Sequence, residues 1–363
     1  MKNTFGNALS VTLFGESHGE AVGALIDGIS PGIKIDLDFI AAQLSRRRPH
    51  GDISTSRREA DEFSILSGVA NGFTTGTPIC IVIPNKDKKS CDYSLFSSVA
   101  RPGHADYAAE CKYHGFQDAR GGGHFSGRLT APIVAAGAIV QCALKSKGIF
   151  IGTHVKRCAR IDDRAFDDIE SDVRKLESAE FPVLDSAVAD KMKNAIMEAK
   201  KNGDSVGGIL ESAVIGMPSG VGEPWFDSIE SMLSHAIFSI PAVKGIEFGD
   251  GFAIADMLGS EANDPFCIKS GEIKTAKNSN GGINGGISNS MPIIFRCAIK
   301  PTPSISQKQR SVNFKELCET ELEIAGRHDP AIVHRASVVV DSMTALTLAD
   351  LLLGRYGTDW LTK

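Results

Sequence analysis

Residues Thr12–Ala21 read TLFGESHGEA, and the fold turns on what flanks the two glycines at its centre. Gly15-Glu16-Ser17-His18-Gly19 fits G-x-S-x-G, the pattern of a hydrolase nucleophile elbow, in which a strand turns directly into a helix. Here both flanks are strand-like. Val11 and Leu13 alternate before the motif, Val22, Ala24 and Ile26 alternate after it, and Asp27-Gly28 marks the next turn. An elbow also needs an oxyanion loop upstream, and only 14 residues precede Gly15. The stretch therefore predicts a glycine-flanked hairpin. Its tip has three readings: a plain turn, a nucleophilic Ser17, or a site built on His18. A serine hydrolase would need Ser17, so loss of that residue alone should abolish it.

Working outward, the strand-turn-strand rhythm repeats. Phe63–Asn85 reads as strands joined by Gly-rich turns, and Asp36 or Asp38 opens a helix that closes at Arg46-Arg47-Arg48 before Pro49. Helix resumes at His104–Gly115. The small-residue run Arg128–Gly148 reads as a buried helix, too short and too interrupted by Pro132 and Gln141 for a membrane span. After Ile149 strand and helix start over: an amphipathic helix stopped at Gly203, strands near Ile209 and Met291–Lys300, a flexible loop at Gly281–Ser290, and a strand then a helix across Arg335–Leu353. Many strands between tight turns point to α+β with antiparallel sheets rather than a doubly wound fold. The two halves have similar content, which suggests an internal duplication within one domain spanning residues 1–363.

Net charge is −5, a field that repels nucleic acid and anionic membranes, so any anionic ligand must be held by local cations. The eight cysteines form no C-x-x-C pair, and no Cys/His cluster has zinc spacing, so no metal site is expected. The start MKNTFGNALS lacks the apolar core of a signal peptide, and the expected location is the cytoplasm.

Cations do cluster, in loops rich in glycine. They are Arg46–Arg48, Arg57-Arg58, RPGHAD (Arg101–Asp106), RGGGHFSGR (Arg120–Arg128), KPTPS (Lys300–Ser304) and GRHDP (Gly326–Pro330). Arginine grips carboxylate and phosphate as a rigid fork, and Gly-rich backbone at a helix start lets N–H groups approach an anion. Together they suggest a small, multiply anionic ligand. Gly122–Arg128 imitates a P-loop but has Arg128-Leu129 where Lys-[Ser/Thr] is required, and GGINGG is not G-x-G-x-x-G. His18, His104 and His328 each sit in a polar turn where histidine can move a proton near neutral pH. A protein that only bound anions would not need an acid and a base together.

These segments, in this order, resemble the chorismate synthase family: FGESHG, RRRP, SRREADE, LSGV, TTGTPI, RPGHADY, GGG with an Arg-bearing helix start, KGIEFGDGF, GGI, KPTPSI and GRHDP. The resemblance runs from about residue 10 to about residue 340. It implies a β-α-β sandwich, a helical layer between antiparallel sheets with internal pseudo-duplication. It implies conversion of 5-enolpyruvylshikimate 3-phosphate to chorismate by 1,4-elimination of phosphate, the last step of the shikimate pathway, with reduced FMN although the reaction is redox-neutral. A homotetramer with flavin sites near its interfaces is implied too. No dinucleotide fingerprint is visible, so an external flavin reductase would supply the reduced FMN.

Position by position, the resemblance implies that His104 donates a proton to the departing phosphate, that His18 protonates the reduced flavin near N1, and that Asp329 accepts the proton at N5. Arg46, Arg47 and Arg48 would hold substrate anions, with Arg101, Arg128 and Arg335 as further contacts. FMN would lie along His124, Phe125, Ser126, Ala242, Ser290, Lys300, Pro301, Thr302, Pro303, Ser304 and Arg327. The chain departs from the common pattern at His124, where arginine is usual, at Leu129 for glutamate, at Ser290 for glycine, and at Ala331 and His334.

Overall fold

In the computed structural model, which describes residues 2–55, 60–86, 96–324 and 328–362, the TLFGESHGEA stretch is a hairpin. The first half contributes β1 (Thr4–Phe5), β2 (Ser10–Gly15), β3 (Ala21–Asp27), α1 (Leu37–Arg47), β4 (Ser64–Ser67), the short pair β5 (Val69–Ala70) and β6 (Phe73–Thr74), β7 (Ile79–Pro84), α2 (Asp106–Tyr113) and α3 (Thr130–Ser146). Gly15 faces Val22 and Ser10 faces Asp27, a register that sends Val22, Ala24 and Ile26 into the core. The α1 helix starts where Asp36 accepts a hydrogen bond from the Phe39 amide at 2.9 Å.

The second half contributes β8 (Phe150–Cys158), β9 (Ile161–Asp162), α4 (Ile169–Leu176), α5 (Ser186–Lys201), β10 (Gly208–Ile215), α6 (Ile229–Phe238), β11 (Val243–Phe248), α7 (Gly259–Ala262), β12 (Phe266–Lys269), β13 (Glu272–Thr275), β14 (Ile283–Asn284), β15 (Ile287–Ser288), β16 (Ile293–Ile299), β17 (Gln309–Asn313), β18 (Cys318–Leu322) and α8 (Val333–Tyr356). One five-stranded sheet has the order β1-β2-β3-β7-β4 and the other β11-β16-β10-β8-β9. Among the described residues, every pairing within these sheets is antiparallel.

The duplication that the sequence suggests is visible in the connections. The run β2-β3-α1-β4-β7-α3 is matched by β8-β10-α6-β11-β16-α8, with the same spatial order of four strands in each sheet. The two closing helices, α3 and α8, pack on each other between the sheets; α3 lies against β3 and β7, and α8 against β8 and β10. They approach closely because α3 carries small residues. A Cβ on Gly137 would stand 2.3 Å from the Ser342 Cβ. Both segments are long and apolar enough to cross a bilayer, but 83% and 94% of the qualifying windows are buried inside the protein.

Two sequence-based expectations fail here. Arg335–Leu353 is not a strand followed by a helix but the body of α8. Its Val338–Val340 run is β-branched, yet helix propensity differs by only tenths of a kcal/mol, and roughly 0.7 kcal/mol at most, between ordinary residues, so burial on all sides decides. Ser342 and Thr347 return their hydroxyl protons to the helix carbonyls of Val338 and Met343, both at 2.7 Å. The Gly281–Ser290 segment is not a loop alone: it holds the hairpin β14–β15, turned by Gly285 and Gly286 at φ of 60° and 86°.

Candidate active site

The two long core helices begin at the same cleft. Thr130 at the start of α3 and Ile332, Arg335 and Ala336 at the start of α8 line one cavity together with Arg47 and Arg128. The α8 helix has no side-chain cap on its first amides, whereas α3 continues from a short 3₁₀ turn, Gly127–Leu129, whose start Ser126 caps. The positive ends of two helix dipoles thus face the same space, which favours an anion.

The arginines around it are interlocked. Arg47 lies on the buried face of α1 beside Ile40 and Leu44. Its Nη2 donates to Asp61 Oδ2 at 2.8 Å, and its Nη1 donates to Thr130 Oγ1 at 3.4 Å. The other Asp61 oxygen is ion-paired with Arg128 Nη1. Arg128 Nε donates to Asn85 Oδ1 at 3.0 Å, and Asn85 in turn donates to the carbonyls of Glu16 and Gly19, at 2.9 and 3.1 Å, in the β2–β3 tip. On the other side, Arg335 donates from Nε to the Arg47 carbonyl at 2.8 Å and from Nη1 to Asp329 Oδ2 at 2.9 Å, while Thr55 N–H donates to Asp329 Oδ1 at 2.9 Å. Burial pulls the Arg47 pKa down; Asp61 opposes this, and Arg335 and Arg128 add to it. Burial pushes the Asp61 carboxyl up, but Arg47 and Arg128 more than offset it and hold it below the usual carboxylate range.

This space continues into a larger one of about 730 Å³, which shares Ser126, Gly127, Thr130, Asp329 and Ile332 with it. Arg101, His104, His124, Phe125, Ala242, Lys300, Thr302 and Pro303 line it. Two sequence motifs clamp each other here. His104 Nε2 is 2.7 Å from Ser304 Oγ, Lys300 Nζ donates to the Gly103 carbonyl at 2.6 Å, and the Lys300 amide donates to the Ala242 carbonyl at 2.9 Å. Gly103 must be glycine for this fit: it has φ of 72°, and a Cβ would stand 2.9 Å from Pro303. Burial pulls the His104 pKa down to about 4, with Arg101 and Lys300 adding to the shift and Asp106 opposing it. Arg101 is itself held by Asp106, at 2.8 and 2.6 Å, with its guanidinium 4.5 Å above the Phe96 ring. His124 Nδ1 donates to the Gly15 carbonyl at 2.8 Å, and Ser126 Oγ accepts from the Arg128 amide at 3.2 Å.

Other expected site residues stand elsewhere. His18 is buried, with its Nδ1 3.2 Å from Ser17 Oγ, behind the cavity wall rather than in it. Gly121 forms that wall; a Cβ there would meet His18 Cε1 at 2.1 Å. Arg46 turns away to Gln43 and Asp341, at 2.8 and 3.4 Å, and Arg48 donates to the Ala60 carbonyl at 3.0 Å. Both line a separate cavity of about 1360 Å³ between α1 and α4. Ser290 precedes β16 while Lys300 follows it, so the two lie roughly 20 Å or more apart along seven residues of strand. Pro301 is exposed beside the cavity. Arg327, like Arg57 and Arg58, lies outside the described residues.

The sequence model of the family described as chorismate synthase matches residues 9–353, the span that contains all of these clusters. The chain belongs to the chorismate synthase family. A chorismate synthase from Thermococcus gammatolerans is 46% identical over 351 residues, 96% of this chain and 97% of that protein. One from Pyrococcus abyssi is 47% identical with the same coverage. A crystal structure of a chorismate synthase matches the fold with a TM-score of 0.77 at 30% identity, over 98% of this chain and 94% of that one. Against the chorismate synthase motifs, Asp61 and Asn85 are the site residues that sequence reasoning missed. SRREADE draws attention to its arginines, and the signal that could have found Asp61 is an acidic residue set two positions after Glu59 in an otherwise cationic site.

Proposed function

We propose that this chain is a lyase that converts 5-enolpyruvylshikimate 3-phosphate to chorismate and phosphate by 1,4-elimination. The observation that carries the reading is the convergence of two helix starts with Arg47, Arg128 and Arg335 beside His104 and Asp329. A substrate with two carboxylates and a phosphate needs that density of fixed cations to leave water.

The larger cavity suits reduced FMN. Its volume of about 730 Å³ is that of a cofactor site, with Ile240, Pro241 and Ala242 as an apolar wall and Gly121 and Gly122 as bare backbone. Thr302 Oγ1 is buried there without a hydrogen-bond partner, as expected of an atom that meets a polar ligand. His124, Phe125, Ser126, Ala242, Lys300, Thr302, Pro303 and Ser304 would hold the cofactor, with Pro301 and Arg327 flanking them. When bound, reduced FMN lends electron density to the elimination and recovers it. The protein's part is proton movement and charge. His104 gives its proton to the departing phosphate, a poor leaving group that benefits from a positioned acid. Asp329 accepts a proton, held in place by Arg335 and the Thr55 amide. His18, from behind Gly121, sets the charge on that side of the cavity. Arg47, Arg128 and Arg335 bind the substrate anions, and Arg101 contributes field more than contact.

The working form is a homotetramer in the cytoplasm, supplied with reduced FMN by a separate reductase, and it meets no nucleic acid or membrane. Trp225, Phe226 and Phe252 are 89%, 88% and 83% exposed, which suits a surface that another copy covers. Ser290, remote from its own cavity, would then serve a neighbour's. The test is anaerobic turnover with chemically reduced FMN, following phosphate release and chorismate absorbance. Catalytic formation of both supports the reading; flavin-binding protein that forms neither removes it.

A further inference from the structure

Asp61 is a negative charge inside a site for an anion. Its side chain is fully buried, each of its oxygens is held by a different arginine, and its backbone is left-handed with φ of 51°. A non-glycine residue in that conformation is uncommon and persists where the surroundings over-determine it. For affinity alone the carboxylate is a defect, since it repels the ligand and neutralises one of the two guanidinium charges. What it does supply is separation. Without ligand, Arg47, Arg128 and Arg335 are like charges in a confined space, and a fixed carboxylate between the first two sets both their distance and their planes. The bonds of Arg128 to Asn85, of Asn85 to the β2–β3 tip, and of Arg335 to the Arg47 carbonyl extend the same frame from the His18 loop to Asp329.

We propose that Asp61 is a positioning residue of the elimination: a built-in counter-ion that holds Arg47 and Arg128 at the spacing the substrate requires, at the expense of binding strength. This rests on the reading of the cleft as the site of 5-enolpyruvylshikimate 3-phosphate. It separates two quantities that a purely structural residue would spoil together. Removing the charge while keeping the shape leaves the site more cationic and worse aligned. Substrate should bind as well or better, and turnover should fall.

The experiment compares wild type, Asp61→Asn, Arg128→Lys and the double variant, as the full chain with chemically reduced FMN. Wild-type turnover is the control: if it is absent, the functional reading fails, whatever Asp61 does. With wild type active, Asp61→Asn should lower kcat about a hundredfold or more, the scale on which a misplaced fixed charge acts. KM, and the Kd for substrate by calorimetry, should stay within about threefold or fall. The double variant should be no more than about threefold worse than the worse single one, because both act through one pair. The proposal is overturned by a kcat within about tenfold of wild type, by loss of binding in parallel with kcat, or by single effects that simply multiply. Should Asp61→Asn fail to fold, Asp61→Asn/Arg128→Gln removes the carboxylate and one guanidinium together. Recovery of folded protein there supports the counter-ion role; continued failure shows that Asp61 serves the fold and ends the proposal.

Discussion

His104 Nε2 lies 2.7 Å from Ser304 Oγ, and the two loops that carry them lock together around Gly103 and Lys300. Burial, with Arg101 and Lys300 adding to it, pulls the His104 pKa down to about 4, so the free enzyme holds a neutral imidazole at physiological pH. A neutral ring cannot be the acid. Arrival of the substrate phosphate reverses the field, because a dianion beside the ring favours its charged form. Substrate binding near pH 7 should therefore take up a proton, seen as a dependence of the calorimetric enthalpy on the buffer's ionisation enthalpy. His104→Ala should abolish that uptake, keep flavin binding and lose roughly 10²–10⁴ in kcat. Binding with no proton uptake in the wild type would remove His104 as the acid.

Gly121 separates His18 from the cavity, and its conformation leaves no room for a side chain. It has φ of 61°, and a Cβ would fall 2.1 Å from His18 Cε1. Gly121→Ala should displace the ring or the loop and cut turnover, while the thermal midpoint moves little, because the loop lies outside the core. Gly354→Ala is the matched control. Nothing lies within 4 Å of its Cβ position, it sits inside α8, and alanine there should stabilise by about 1 kcal/mol and leave kcat alone. Unchanged turnover in Gly121→Ala would show that the His18 position is not needed.

Arg46 and Arg47 stand about 100° apart on α1, and Arg48 is the extended residue that follows it, so the three do not face one cleft. Arg47 faces the cleft, and Arg46 faces Asp341. Arg47→Lys keeps the charge but loses the fork on Asp61, and kcat should fall roughly a hundredfold. Arg46→Ala should leave kcat within about threefold and cost about 1–3 kcal/mol in urea denaturation, because Gln43 and Asp341 lose a buried partner. Equal kinetic damage from both would put Arg46 back in the site.

The same helix shows what was legible in advance. Ile40, Leu44 and Arg47 share a face at spacings of four and three, so the sequence alone could separate Arg47 from its two neighbours. The β2–β3 hairpin was legible because its residues alternate on both sides of Gly15 and Gly19. The first part of α8 was not, although its later part reads as helix: a segment buried on every side has no polar face, hence no period of 3.6, and its valine run reads as strand. Asp61 was illegible for another reason. Its partners stand 14 residues before it and 67 after it, and only the packing of α1 against the start of α3 brings them together.

Stability should climb with pH on the acid side. Burial pulls His104 to about 4 and His334, stacked on Phe181, to about 3. Between about pH 4 and pH 6.5 the unfolded chain therefore binds two protons that the folded chain does not, and stability rises with pH wherever that is so. Asp341 works the other way. Burial pushes its pKa up to about 6 from 3.8, so between those values the folded chain holds a proton that the unfolded chain has lost. Two histidines against one carboxyl leave a net of one proton, a slope of about 1.4 kcal/mol per pH unit in that window. Asp341→Asn removes the opposing group and should make the slope about twice as steep. Urea denaturation at fixed protein concentration across the window measures both slopes. A flat or falling wild-type profile would show that the two histidines are charged in the folded protein, and a slope unchanged by Asp341→Asn would show that the buried carboxyl is ionised.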